Sequence, residues 1–445
     1  MSTLNLPRLQ LQQDQRDRAP QIDVFKIFVI LAAFGFGFFL QFNIVTSTFG
    51  LPFLRISDAL LFLLLPFFFI QVGLTKMLKH GILYFAVFLA IGAVCMMLKT
   101  AIGDGDRYFT LIFLLTSIFA YLFVYAAEDE EVLIAFAVGT VLGLIPSLVV
   151  LFLQGMGNTS LPNIGLGIRA EDLPESSSML SKVKLGGIWT AGNESGHVYA
   201  VAAASALYLT LRFRRPLIYI TTYAALLASF TFSLNRSGLI APTIALIYVY
   251  VRLGDYFLYL KTALILLATL VVLLLSTNAL SGIDTFYDSF ESRFLADDYA
   301  ESNISERLMS NIEGVKVAVQ NPFGIGYRER IGIMLEHTTN GVKSIHNGFL
   351  SLAYQCSLFA SLLYVISGIY LLIHRRTISP FYFVTFLFAT TSMFFEELSI
   401  NQVFIFSVAV TMAAAWLHYS KLSETTSRGQ NRPVLRRFEL RKRSS

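Results

Sequence analysis

Residues 131–153 read EVLIAFAVGTVLGLIPSLVVLFL, a run with no charge after its first residue. At about 1.5 Å per residue, roughly 20 such residues cross the ~30 Å hydrocarbon layer of a bilayer as a helix. A helix is the form such a run must take, because backbone amides in lipid have no water to bond. Comparable stretches fall at about 24–45, 58–74, 81–98, 108–127, 188–210, 216–234, 237–252, 258–276, 347–373, 380–397 and 401–418. The expectation is an all-α polytopic membrane protein of about twelve transmembrane helices.

Composition agrees. The 445 residues are 55% hydrophobic and only 14% charged, with mean hydropathy +0.63. A soluble protein carries about 25% charged residues. Phe (40) and Tyr (20) are abundant, as where rings fill helix contacts and interfacial belts. Much of the net charge of +5 comes from Arg428, Arg432, Arg436, Arg437, Arg441, Lys442 and Arg443. Beside a membrane, that tail reads as an anchor for anionic head groups and not as a nucleic-acid site. Cys95 and Cys356 both lie in apolar segments, so no disulfide framework is implied. No small-residue cleavage site follows the first apolar stretch, which therefore reads as an uncleaved anchor.

Lysine and arginine set the orientation. With the N-terminus cytoplasmic, inside loops hold Lys76 and Lys79, Arg212, Arg214 and Arg215, Arg252 and Lys261, and Arg375 and Arg376. Glu128-Asp129-Glu130-Glu131 is the one inside turn lacking positive charge. The regions are then a cytoplasmic tail (1–23), nine helices (24–276), an outer loop (277–346), three helices (347–418) and a basic cytoplasmic tail (419–445). Residues 1–20 and 422–445, charged and poor in apolar groups, are expected to be disordered.

The outer segments carry the polar chemistry. Arg236, in Ser233-Leu-Asn-Arg-Ser-Gly238, stands at a helix junction. It reads either as a contact to lipid phosphate or as a clamp for a phosphate or diphosphate, which a forked guanidinium suits. The long loop adds Arg293, Arg307, Arg328 and Arg330. Within it, Ile304, Leu308, Ile312, Val315 and Val319 recur at helical spacing, so a surface helix is expected over Asn303–Gln320. Asn303 and Glu306 read as its capping box, Arg307 as part of its first turn, and Asn321-Pro322 as its stop. Gly324-Ile-Gly-Tyr327 follows as a flexible turn.

His346 opens the next apolar segment, as a polar anchor or as a general base. Asn347 beside it has an amide for the ring or for a sugar hydroxyl. Segment 184–198 is unusually polar for a span: Lys184, Trp189, Asn193, Glu194, Ser195 and His197 all fall there. Lipid does not tolerate such groups, so they are expected to face a cavity or a neighbouring helix. Glu396 and Glu397 form a second carboxylate candidate. Asp104-Gly105-Asp106 has the form of a metal-holding pair, though a Gly/Asp turn explains it equally. No CxxC, HExxH or phosphate-loop pattern is present in the chain.

Over about 184–373, the order of these motifs resembles the O-antigen ligase and Wzy-type polysaccharide polymerase superfamily. The carriers are the polar Gly/Asn segment, Asn235-Arg-Ser-Gly238, Ser305-Glu-Arg-Leu308, Asn321-Pro-Phe-Gly-Ile-Gly-Tyr327 and His346-Asn347. The resemblance implies a GT-C-like helical bundle in a bacterial inner membrane, with a periplasmic loop over its active site. It implies an inverting glycosyltransferase with no cofactor and no metal, moving a glycan from undecaprenyl diphosphate to an acceptor hydroxyl. By motif position, Arg236 and Arg307 hold the diphosphate and His346 is the base. Lys184, Asn193, Glu194, Arg293 and Asn347 are expected to bind substrate. The implied partners are the lipid-linked glycan, an acceptor glycan or lipid A–core, membrane lipids, a chain-length regulator and a flippase, with no nucleic acid. Where the ligase pattern has a glycine and then a small residue, this chain has Ser357 and Ala360, which favours polymerase over ligase.

Overall fold

The computed structural model describes residues 24–40, 56–73, 107–155, 192–233, 243, 297–325, 345, 347–393 and 402–427. Among these the chain is helical, without a β-strand. The helices are α1 (Val24–Phe39), α2 (Ile56–Val72), α3 (Arg107–Ala126), α4 (Glu130–Gly155), α5 (Gly192–Phe213) and α6 (Pro216–Ser233). They continue with α7 (Asp297–Gln320), α8 (Gly348–Ser351, extended by a π-type turn over Leu352–Cys356), α9 (Leu358–Ile373), α10 (Pro380–Met393) and α11 (Gln402–Ser427). The expected spans at 81–98, 237–252 and 258–276 lie outside the described residues, and each of the other expected positions carries a helix. By length and composition one of them, over Glu130–Leu151, is long and apolar enough to cross a membrane. Val24–Phe39, Tyr199–Phe213, Leu358–Ile373 and Pro380–Thr391 are shorter apolar helices.

Three elements differ from expectation. The single span expected over 347–373 is broken at Ser357, which is extended (φ −174°, ψ 154°). Helix α7 begins at Asp297, so Asn303 is an interior residue and not a cap, and Arg307 falls in the third turn and not the first. Asp297–Asn303 contains no Gly or Pro to stop helix propagation backwards. Helix α11 runs past 422 to Ser427, since no breaker occurs before Gly429 and Lys421 is anchored by Glu128.

Packing begins with backbone contact between α1 and α4. A Cβ on Gly37 would overlap the Phe136 carbonyl, and one on Gly139 or Gly143 would overlap the carbonyl of Phe34 or Phe38. Gly139 and Gly143, four residues apart, form a small-residue stripe along which the two helix backbones approach closely. Fully buried rings fill the space beside it. Phe406 of α11 stands 5.4 Å from Phe36, 5.6 Å from Phe123 and 5.5 Å from Phe136, joining α1, α3 and α4.

At one end of the bundle, the acidic turn between α3 and α4 is charge-matched. Lys26 lies 2.8 Å from both Asp129 and Glu131, and Lys421 lies 2.7 Å from Glu128. Arg212 pairs with Glu130, its Nη2 donating over 2.8 Å. The start of α1, the end of α5 and the end of α11 therefore share this end. Helix α9 finishes there too, since Tyr370 Oη meets His418 Nδ1 at 2.9 Å and the His374 and His418 rings are 5.2 Å apart. Helices α6 and α10 start from this end and run away from it. The far end accordingly receives Ser233, Met393 and the first turn of α5.

Candidate functional site

The far end gathers the segments that carry the polar motifs. Helix α5 runs antiparallel to α10, with Tyr208 against Phe381 (ring centroids 5.9 Å) towards the ion-pair end. Its first turn, bearing Asn193 and Glu194, thus lies where α10 ends at Met393. Helix α8 starts at the same place: a Cβ on Gly348 would come within 2.8 Å of Met393 Cγ. Helix α6 ends there at Ser233, three residues short of Arg236.

Helix α7 is docked onto the entry to α8. Its inward face is Ser310, Glu313, Gly314, Val317 and Ala318, all buried. Gly314 is required by close approach, because a Cβ there would overlap Cδ1 of the fully buried Ile345. Arg307 stands on the same helix, about one turn before Ser310. The helix holding Arg307 is thereby fixed against the residue preceding His346. Glu313, 3% exposed, is held to the half-exposed Lys316 at 2.7 Å.

Asn347 is the N-cap of α8, its Oδ1 accepting the amides of Phe349 (3.0 Å) and Leu350 (3.2 Å). Its carbonyl oxygen is thus occupied by structure, and the Nδ2 amide is the group it can offer a ligand. Beyond α8, Leu352–Cys356 widens to i→i+5 bonding, with Ser357 N–H donating to the Leu352 carbonyl at 3.1 Å. Such a turn leaves backbone groups without helical partners. The Asn321–Ile325 turn supplies them. Ile325 N–H donates to the Tyr354 carbonyl (2.6 Å), and Leu358 N–H donates to the Pro322 carbonyl (3.0 Å). The turn is closed by Gly324 N–H to the Asn321 carbonyl at 2.9 Å. Gly324 has φ +78°, and a Cβ there would overlap the Cys356 carbonyl and reach the Gln355 carbonyl at 2.7 Å. Ser357 then caps α9, its Oγ accepting from Ala360 N–H at 3.0 Å. Ser361 Oγ donates to the Phe349 carbonyl at 3.0 Å, tying α9 back to α8.

The flexible turn expected at Gly324–Tyr327 is therefore a clasp at its described part, Gly324-Ile325. It holds a broken helix to the end of α7. Its local signal was only the Pro and Gly, because its partners are some thirty residues further along the chain. Beneath it, Gln355 is fully buried, with Nε2 donating to Tyr354 Oη at 3.1 Å. Its Oε1 accepts no hydrogen bond, an arrangement that costs about 1–3 kcal/mol where it is tolerated.

Of the expected site residues, Arg307, Asn193, Glu194 and Asn347 lie on described elements brought to this one end. Lys184, Arg236, Arg293 and His346 lie outside the described residues, as do Trp189, Glu396, Glu397, Asp104 and Asp106. No group of three or more His, Cys, Asp or Glu suited to a metal occurs among the described residues. No family model, curated protein or solved structure matches the chain.

Proposed function

We propose that the chain is an integral inner-membrane polymerase of O-antigen or exopolysaccharide repeat units, acting at the periplasmic face. The acceptor sugar hydroxyl attacks the anomeric carbon of a glycan on undecaprenyl diphosphate. The new C–O bond forms as the bond to the diphosphate breaks, opposite the leaving group, so configuration inverts. His346 takes the hydroxyl proton, and Arg236 and Arg307 stabilise the charge that develops on the departing lipid diphosphate. Lys184, Asn193, Glu194, Arg293 and Asn347 bind the sugars and the diphosphate. Both termini are cytoplasmic, and about twelve helices cross the membrane.

The observation that carries this reading is the convergence at the far end of the bundle. The Arg307-bearing helix packs through Gly314 onto Ile345, next to His346, while the first turn of α5 and the end of α6 arrive at the same end. In favour of the orientation, Lys26, Arg212 and Lys421 gather at the opposite end. The adjoining turns there add Arg214, Arg215, Arg375 and Arg376.

Purified protein given lipid-linked repeat units is expected to produce a ladder of chain lengths. His346→Ala, Arg236→Ala and Arg307→Ala should each insert normally and lose extension; wild-type ladders from all three would overturn the assignment. A ligase joining finished glycan to lipid A–core or protein is the nearest alternative, and a gene deletion separates the two. Loss of a ligase leaves long lipid-linked chains, whereas loss of a polymerase leaves single repeats. A flippase would move the lipid-linked glycan across liposomes without lengthening it.

A further inference from the structure

Helix α7 carries a row of apolar side chains that the rest of the bundle leaves uncovered. Ser310, Glu313, Gly314, Val317 and Ala318 face inward, and Leu308, Ile312, Val315 and Val319 form an outward row that is 60, 46, 49 and 63% exposed. Phe323, 60% exposed, extends this row into the clasp. There its ring meets Phe359 of α9 at 5.9 Å. Phe359 begins a second outward row, Leu362, Ile366, Ile369 and Ile373, at helical spacing and 44–68% exposed. The two rows form one apolar surface that turns a corner at the Phe323–Phe359 contact. The medium that meets α9 beside the Phe323–Phe359 contact also meets the end of the α7 row, and on the membrane reading the outer face of α9 meets lipid.

We propose that α7 is seated in the membrane surface, with Leu308, Ile312, Val315, Val319 and Phe323 among the acyl chains of the bilayer. This rests on the membrane reading above. Asp297, Asp298, Glu301, Glu306 and Glu313 in the same helix are incompatible with a span, so α7 lies in the plane, as interfacial helices do. Lys316 and Gln320, exposed on its flank, suit the head-group layer, the half-exposed lysine keeping its ammonium paired with Glu313. A second copy of the chain is a poorer occupant, because its covering surface would have to follow the row round the corner onto α9. The seat fixes a depth. Arg307, adjacent to Leu308, is held at the level of the head-group phosphates, which is where a lipid-linked diphosphate presents its charge.

Spin labels test this in the full-length protein reconstituted into phosphatidylcholine–phosphatidylglycerol vesicles, with Cys95 replaced by serine and the buried Cys356 left in place. Labels on Ile312→Cys and Val315→Cys are expected to collide with oxygen several-fold more often than with a water-soluble nickel chelate. Ile366→Cys on α9 should behave likewise, and Ser423→Cys near the end of α11 should show the reverse. Nickel-accessible labels at 312 and 315 with an oxygen-accessible label at 366 overturn the seat and leave the membrane reading standing. A nickel-accessible label at 366 as well overturns both. Label-to-label broadening at 312 that vanishes on dilution with unlabelled protein identifies a second copy as the occupant and also overturns the proposal.

Discussion

Gly324 shows why a residue can matter without touching substrate. Its positive φ and the two carbonyls crowding its Cα exclude a side chain, and it holds Ile325 in place to bond Tyr354. Left-handed backbone costs a non-glycine residue about 1–2 kcal/mol before any overlap is counted. Gly324→Ala is therefore expected to lower thermal stability in detergent by at least about 2 kcal/mol. On the proposed polymerase reading, it should also slow chain extension on the order of tenfold to a hundredfold, because the clasp positions α7. Unchanged melting and unchanged ladders would show that the clasp is not needed. Ser357 is a milder case. As an N-cap it should cost about 1 kcal/mol when changed to alanine and only a few tenths when changed to glycine, an order readable by thermal unfolding. Asn347 was legible as a residue at the mouth of an apolar segment. Its capping role was not, because a substrate contact and an N-cap ask for the same amide.

The helical runs at the element scale were legible because apolar length alone identifies them. The break in the run from 347 to 373 was not. Leu358–Ile373 is apolar and Leu352–Cys356 carries only Gln355 as an amide, and the polar groups that make the break tolerable come from Pro322 and Ile325. Helix α7 illustrates a second blind spot. Its apolar period was visible, but period does not reveal which face turns inward, and here the inward face is Ser310, Glu313, Gly314, Val317 and Ala318 while the periodic row stays exposed. The α1–α4 pair gives an element-scale prediction with an internal control. A Cβ on Gly139 would overlap the Phe34 carbonyl, whereas one on Gly35 would meet nothing within 4 Å. Gly35→Ala should stabilise by roughly 0.5–1 kcal/mol through helix propensity alone. Gly139→Ala should destabilise, since the helices must part. Equal melting shifts in detergent for the two variants would contradict close backbone packing.

For the whole molecule, the ion pairs turn a count of charges into an arrangement. The sequence offered Glu128–Glu131 as an inside turn without positive charge, an exception to the orientation rule. In the folded chain, Lys26, Arg212 and Lys421 reach it from three helices, so the exception is the hub that collects the cationic helix ends. The sequence was mute on this because the closest of these pairs, Arg212 and Glu130, is already 82 residues apart. Helix α9 then sets a scale: its 16 residues rise about 24 Å from the clasp to the ion-pair end. That is a little under the ~30 Å hydrocarbon layer. If that layer lies between the two ends, Thr377 and Ser423, exposed at the ion-pair end, face the cytoplasm, and Gln320, exposed beside the clasp, faces outward. With Cys95 replaced by serine, an impermeant maleimide applied to cells with a permeable outer membrane should label Gln320→Cys at once. Thr377→Cys and Ser423→Cys should react only after the inner membrane is opened. Simultaneous labelling of all three would place both ends in one compartment and end the transmembrane reading; inverted labelling would keep the span but move the arginine-bearing helix inside, away from any periplasmic acceptor.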